Sequence, residues 1–126
     1  MKSAIFAVCS FLAAFGTASP TTPSVTLQLA NDLSGANNNQ VILADGTTHA
    51  IADLFAGTSV DVNGQIYVSS AQLTAFPTHV QCAIFKAQSL VTVLTQDKTF
   101  ADLDGNPNAL TLVELDNAWV SCYGSY

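Results

Sequence analysis

The segment VDVNGQIYV, residues 60–68, carries the clearest folding signal in this chain of 126 residues. Asn63-Gly64 at its centre tolerates the positive φ angles that a type I′ turn requires. Apolar and polar residues alternate on both sides of the turn, which is the two-residue period of a strand with one buried face. The segment therefore predicts a tight β-hairpin, and it favours β structure in the residues around it.

Similar short alternations occur before and after this hairpin. Val25, Leu27 and Leu29 alternate with polar residues, whereas residues 31–40 are typical of a polar loop. Further strands are predicted at residues 41–43, 80–85, 90–94, 110–115 and 118–123. About seven or eight short strands separated by turns predict an all-β fold, either a small antiparallel β-barrel or a β-sandwich.

Residues 48–57 fit two local structures. Ile51, Leu54 and Phe55 would share one face of a helix, and Gly57 would end it. A helix this short is marginal without tertiary support. Helix and irregular strand therefore remain equal alternatives for this segment.

Residues 1–18 have the pattern of a secretory signal peptide. Lys2 supplies the positive charge, residues 4–15 form an apolar stretch too short to span a bilayer, and Gly16 and Ala18 precede a cleavage site. A buried N-terminal helix is the alternative. We expect cleavage after Ala18, which leaves residues 19–126 as a single β domain with a flexible N-terminal tail at residues 19–24. The expected location is secreted and extracellular.

The excess of acidic over basic residues argues against two kinds of partner, nucleic acids and anionic membranes. Three basic residues stand against nine acidic ones, the net charge is −6, and 49% of residues are hydrophobic. A protein that binds nucleic acid through its phosphates needs clustered Lys or Arg, and anionic lipid attracts the same residues. We therefore expect no nucleic-acid partner and no membrane insertion.

The three cysteines support the export prediction. Cys9 lies in the predicted signal peptide, so its removal leaves the pair Cys82 and Cys122. In an oxidising compartment an isolated pair most simply forms a disulfide. Two free thiols or two bridges to another chain are the alternatives. The internal bridge would close a loop of about 40 residues, worth roughly 4 kcal/mol on the chain-entropy model.

Patterns for catalysis are sparse. His49 and Asp53 stand four residues apart and would meet on a helix, while Glu114 and Asp116 would share a strand face. Such pairs are usually surface charges, although a base with its partner or a glycosidase carboxyl pair uses the same residue types. We expect no enzyme activity and no cofactor.

A calcium site is the one metal centre that the sequence suggests. Asp102, Asp104 and Asn106 alternate like the first ligands of a calcium loop. Pro107 stands where an EF-hand loop needs Gly, so a β-turn is the simpler interpretation. We expect no metal, with calcium at these three residues as a weak candidate.

The candidate binding surface consists of four aromatic residues: Trp119, Tyr123, Tyr67 and Tyr126. On a strand, Trp119 and Tyr123 share one face with Ser121, and Cys122 points to the other. If Cys122 lies in the core, the two rings face solvent and form an interaction surface such as a sugar-stacking platform. The alternative is that Trp119 belongs to the core, as large aromatics usually do.

Four short segments carry a family resemblance: VTLQLAND at residues 25–32, SGAN at 34–37, SSAQLTAF at 69–76 and DLDG at 102–105. Through them the chain resembles small secreted fungal proteins of the hypersensitive-response-inducing elicitor type. The resemblance implies a β-rich, barrel-like extracellular protein that plants perceive as an elicitor. It implies neither enzyme activity nor a cofactor, and it transfers no binding residues.

The sequence favours a secreted, non-enzymatic interaction protein, effector- or elicitor-like, that acts by surface recognition outside the producing cell. The expected partner is a host or cell-wall component. Two alternatives remain at this point: a carbohydrate or cell-wall binding module that uses exposed aromatics, and a small barrel that holds an apolar ligand.

Overall fold

The computed structural model describes residues 22–104 and 111–125, which form eleven β-strands and one short helix. The strands are β1 (Ser24–Asn31), β2 (Ala36–Leu43), β3 (Asp45–Ala50), β4 (Asp61–Val62), β5 (Gln65–Val68), β6 (Ser70–Ala75), β7 (His79–Lys86), β8 (Ser89–Thr95), β9 (Phe100–Asp102), β10 (Val113–Glu114) and β11 (Ala118–Ser125). The helix α1 (Ile51–Leu54) follows β3. The all-β prediction is confirmed.

The strands form three antiparallel sheets. Sheet A has the order β9-β6-β1-β2, sheet B has the order β3-β11-β7-β8, and the small sheet C has the order β10-β5-β4. Neighbours in each sheet are joined by antiparallel pairing. The sheets stay separate, so the fold is sandwich-like, and of the two predicted architectures the closed barrel is wrong.

The core is one continuous apolar cluster to which sheets A and B both contribute. Val25, Leu27 and Leu29 of β1 are fully buried, as their alternation predicts. Sheet B contributes Ile84 and Val120 in the same alternating way. Each four-stranded sheet therefore has a buried inner face and an outer face that meets solvent.

The predicted hairpin is present between β4 and β5. Asn63 and Gly64 have φ angles of 55° and 87°, so both turn residues adopt the positive φ of a type I′ turn. The Asp61 carboxylate accepts a 2.8 Å hydrogen bond from the Gly64 amide. The turn residues and this side-chain cap together fix the short pairing of β4 with β5.

Residues 48–57 combine both predicted alternatives. Strand β3 continues to Ala50, and α1 then makes a single turn that ends at Phe55, whose amide donates to the Ile51 carbonyl over 3.0 Å. Ile51 and Phe55 are fully buried. The helix is stabilised by the burial of these two side chains, since no side chain caps its first turn.

The predicted polar loop at residues 31–40 is wrong over most of its length. A turn occupies only residues 32–35, and β2 then pairs residue by residue with β1. Asn37 and Asn39 point to solvent from this strand. Main-chain pairing with β1 fixes β2, and polar side chains are tolerated because they occupy its exposed face.

The predicted disulfide between Cys82 and Cys122 is confirmed. The two residues lie directly opposite each other in β7 and β11, with their Cα atoms 4.1 Å apart. Both are fully buried. The bridge therefore links two neighbouring strands of sheet B across a sequence separation of 40 residues.

The predicted signal peptide at residues 1–18 lies outside the described residues. Within the predicted tail at residues 19–24, the Pro23 carbonyl already accepts a 2.8 Å hydrogen bond from Ala44, and Ser24 begins β1. Across residues 22–104 and 111–125, no helix has the length and apolar character needed to cross a bilayer.

Candidate functional site

The outer face of sheet B presents large side chains to solvent. Trp119 is 44% exposed and Tyr123 is 63% exposed, while Cys122 between them is buried. The sequence left two alternatives for Trp119, exposed or in the core. The structure places it at the surface. Leu90 of the edge strand β8 is 59% exposed. Contiguous exposed apolar side chains of this kind mark an interaction surface.

Strand register arranges this face in three rows across the sheet. Trp119 is paired with Phe85, which is paired in turn with Leu90, and together they form an apolar row. Ser121 is paired with Ala83, and these small side chains form a low middle row. The third row pairs Tyr123 with Gln81.

A groove of about 250 Å³ lies over the middle row. Phe85 lines one side, Tyr123 and Gln81 line the other, and Ser121 and Thr48 are among the polar residues beneath. Trp119 and Tyr123 are four residues apart on one strand, a span of about 13 Å along an extended chain. This groove, called the trough below, is therefore flanked by Phe85 on one side and Tyr123 on the other, and Trp119 lies next to Phe85 outside the lining.

Gly46 fixes the position of the Tyr123 ring. This glycine has a φ of 86°, and a Cβ atom built on it would lie 2.6 Å from Cε1 of Tyr123. The Ser121 hydroxyl donates a 3.0 Å hydrogen bond to the Gly46 carbonyl. The ring rests directly on the β3 backbone, so its orientation is set before any partner arrives.

The chemistry of the groove floor is neutral and polar. None of the described residues that line it carries a carboxylate, an amine or an imidazole. The Thr48 hydroxyl and the Gln81 amide are exposed and have no hydrogen-bond partner among residues 22–104 and 111–125. These groups are therefore available to a ligand.

A second groove of about 540 Å³ lies on the other side of the Tyr123 and Gln81 row. Its lining includes His79 from β7 and Asp97 from the turn after β8. Tyr123 and Gln81 line both grooves. The two grooves therefore differ in chemistry, since the second one contains ionisable groups.

The other two predicted aromatics do not join this face among the described residues. Tyr67 lies on β5 in sheet C, where its hydroxyl donates a 3.0 Å hydrogen bond to the Gln65 side chain. Tyr126 lies outside the described residues. The structure thus brings together Trp119 and Tyr123 and places Tyr67 elsewhere.

Five members of the site were not predicted from the sequence: Phe85, Leu90, Thr48, Gln81 and Gly46. Alternation along residues 80–85 contained one usable signal, because Phe85 and Gln81 must face away from the buried Cys82. No local signal connects Gly46 or Thr48 with Tyr123. Their place depends on the pairing of β3 with β11, which joins residues more than 70 positions apart.

Two of the three predicted calcium ligands, Asp102 and Asp104, interact with each other. Burial, then a hydrogen bond with Asp104, then repulsion from Asp104 and Asp32 raise the pKa of Asp102 above its ordinary value of 3.8. Asp104 also accepts a 3.2 Å hydrogen bond from the Thr111 amide. Asn106 lies outside the described residues. Within the parts of the chain that the structure describes, no group of three or more His, Cys, Asp or Glu could hold a metal ion.

The carboxyls of Glu114 and Asp116 lie close to each other. A hydrogen bond with Asp116, followed by burial and by repulsion from the same carboxylate, raises the pKa of Glu114 above its ordinary value of 4.5. Lys86, 3.9 Å from Glu114, partly opposes this rise. Both carboxyls have other partners in the fold: Glu114 accepts a 3.2 Å hydrogen bond from the Gln65 side chain, and Asp116 accepts a 2.8 Å hydrogen bond from the Ile66 amide.

His49 and Asp53 fall on different elements. His49 lies on β3 and Asp53 on α1, so the spacing of four residues does not place them on one helical face. The His49 Nε2 atom is buried and makes no hydrogen bond within the described part of the chain.

The two acidic pairs predict that mild acidification stabilises the protein. The pKa values of Asp102 and Glu114 are raised in the folded state. A raised pKa contributes stability that is complete below the unfolded value and is lost as the pH rises through the folded value. We therefore expect the Tm to rise as the pH is lowered from neutral toward 4.5, the ordinary value for glutamate, in thermal unfolding followed by circular dichroism.

Asp45 sets the lowest pH to which this rise in Tm continues. Hydrogen bonds from Thr47 hold the pKa of Asp45 below its ordinary value of 3.8, so its contribution is lost at more acid pH. The double variant Asp102→Asn/Glu114→Gln is the control, and it should flatten the rise above pH 4.5. A Tm that falls steadily over that interval in the wild-type protein would contradict the prediction.

Comparisons of this chain with protein-family models, with curated proteins and with solved structures each found no match. The fold and the site define an all-β protein with a buried disulfide and an exposed aromatic face. A functional interpretation of this face therefore depends on its own geometry and chemistry.

Proposed function

We propose that this chain is a secreted, non-enzymatic interaction protein, effector- or elicitor-like, that recognises a host or cell-wall component outside the producing cell. The outer face of sheet B is the recognition surface. Its exposed Trp119 and Tyr123 are the observation that carries the proposal.

The construction of this face supports a binding role. Trp and Tyr are the side chains that most often dominate binding energy, because they bury a large area with little loss of conformational freedom. Here both rings project from β11, the strand that the disulfide ties to β7 in the middle of sheet B. Rings held on a rigid sheet lose little entropy when a partner binds.

Two features support action outside the cell, and the net charge bears on the choice of partner. Residues 1–18 have the pattern of a signal peptide. The Cys82–Cys122 disulfide is compatible with an oxidising compartment. The acidic net charge of −6 keeps the protein soluble and disfavours anionic surfaces as partners.

Infiltration of the purified protein into plant leaves tests this function. We expect the wild-type protein to cause a local cell-death response and the double variant Trp119→Ser/Tyr123→Ser to need at least tenfold more protein, about 1.4 kcal/mol or more of lost binding. The response is measured as ion leakage from leaf discs over a dilution series.

The matched control is Leu33→Ser/Phe100→Ser, which removes side chains that are 60% and 53% exposed elsewhere on the molecule. This variant should match the wild type. Absence of a response in several plant species would contradict the elicitor function. Equal responses from the two double variants would show that the outer face of sheet B is not the surface used.

A further inference from the structure

We propose that the trough on the outer face of sheet B binds an uncharged polysaccharide chain, with sugar rings lying against Trp119 and Tyr123. This inference rests on the proposed function, since it names the class of partner for the same face. Four properties of the trough lead to it: its walls, its floor, its charge and the order in which polar and apolar groups occur.

The walls offer flat aromatic surfaces. The face of an aromatic ring is electron-rich, and it attracts the weakly positive C–H bonds that line one side of a sugar ring. The Tyr123 ring lies against Gly46, and the residue is 63% exposed. Phe85 lines the opposite side of the trough, and the exposed Trp119 is paired with Phe85 on the neighbouring strand, so aromatic side chains lie at or next to both sides.

The floor and one side of the trough offer hydrogen-bonding groups without partners. The Thr48 hydroxyl can donate and accept, and the Gln81 amide supplies two donors and one acceptor. Neither makes a hydrogen bond within residues 22–104 and 111–125. Sugar hydroxyls both donate and accept hydrogen bonds, so a saccharide can pair with the donors and the acceptors of these groups. An apolar ligand would leave them without partners and would lose binding free energy.

The charge of the site favours a neutral ligand. No carboxylate, amine or imidazole is found among the described residues that line the groove. Ionisable groups occur in the second groove, beyond Tyr123, and at Asp45, which is paired with Tyr123 at the start of β3. A polyanion such as a pectic chain would meet no cation here and would be repelled by a protein of net charge −6.

The arrangement of polar and apolar groups is the opposite of that in a protein–protein interface. Such interfaces have an apolar centre surrounded by a polar rim. In this trough the small side chains of Ser121 and Ala83 lie at the centre with Thr48, and the larger Tyr123 and Phe85 flank them. A second copy of the chain would bury the unpaired floor groups against aromatic side chains, so a saccharide is the better match.

Retention on insoluble polysaccharides tests this inference. Purified protein is incubated with chitin, β-glucan and cellulose, and with cross-linked polygalacturonate as an acidic matrix. We expect retention on at least one of the three neutral matrices and none on the acidic one. Trp119→Ala and Tyr123→Ala should each weaken retention roughly tenfold or more.

Two further variants make the experiment specific. Gly46→Ala should also weaken retention, because the added Cβ would meet the Tyr123 ring and a φ of 86° is unfavourable for alanine, so the ring and the β3 backbone must shift. Phe100→Ala removes an aromatic side chain, 53% exposed on sheet A, and should retain wild-type binding. Thermal unfolding of each variant shows whether it is folded.

The inference is overturned if no neutral matrix retains the protein, if the acidic matrix retains it better, or if Trp119→Ala and Phe100→Ala behave alike. Its failure differs from that of the proposed function. Loss of polysaccharide binding with a leaf response that still depends on Trp119 and Tyr123 would point to a protein receptor on the same face. If polysaccharide binding and the dependence of the leaf response on Trp119 and Tyr123 are both absent, the outer face of sheet B is not a recognition surface.

Discussion

Removal of the Cys82–Cys122 disulfide should lower the free energy of unfolding by about 4 kcal/mol, as the chain-entropy model gives for a loop of this length. In a domain of roughly 100 residues this corresponds to a fall in Tm on the order of 10–20 °C. The reason lies mainly in the unfolded chain, which gains freedom across the 40-residue separation. The bridge connects strands that are already paired, so native contacts change little.

The double variant Cys82→Ala/Cys122→Ala tests this expectation without leaving a buried thiol. Its far-ultraviolet circular dichroism should match that of the wild type, while urea denaturation shows a lower midpoint. Because both cysteines are fully buried, a reductant should act on the wild-type protein only when it unfolds. An unchanged midpoint in the double variant would show that the bridge contributes nothing to stability.

The substitution Phe55→Ala should destabilise the fold by about 3–5 kcal/mol. Phe55 is among the largest fully buried side chains, and it belongs to the core cluster that sheets A and B share. Its carbonyl also accepts hydrogen bonds from the amide and the hydroxyl of Thr58, which hold the chain after α1. Truncation would leave a cavity that this fixed backbone cannot collapse to fill.

Phe100→Ala is the matched control for this prediction. It deletes the same atoms from a side chain that is 53% exposed, so the expected change is within about 1 kcal/mol. Urea denaturation measures the free energy of unfolding of both variants. The dependence of this free energy on urea concentration, the m-value, should be the same in both. Equal losses from the two substitutions would contradict the assignment of Phe55 to the core.

Local sequence signals predicted those parts of the fold that depend on neighbouring residues. Asn63-Gly64 predicts its own turn because the two residues tolerate positive φ angles. The alternation from Val25 to Leu29 predicts the buried face of β1 because successive side chains of a strand point to opposite sides. Cys82 and Cys122 predict their pairing because no other cysteine remains after residues 1–18 are set aside.

Elements stabilised by long-range contacts could not be predicted in this way. Residues 36–43 contain three consecutive asparagines and favour a loop locally, yet they form β2 because β1 supplies its hydrogen-bond partners. Similarly, α1 lacks a side-chain cap and depends on the burial of Ile51 and Phe55. In both cases tertiary contacts outweigh weak local preferences.

For the candidate site, alternation alone placed Trp119 and Tyr123 on the face opposite Cys122. The sequence by itself thus determined an all-β chain, its disulfide and the common side of two aromatic rings. Only the tertiary structure decided that this side meets solvent, and that Phe85, Gly46 and Thr48 join it to form a trough. The physical reason is that side-chain direction repeats within one strand, whereas the register between strands is set by hydrogen bonds and packing between residues far apart in the chain.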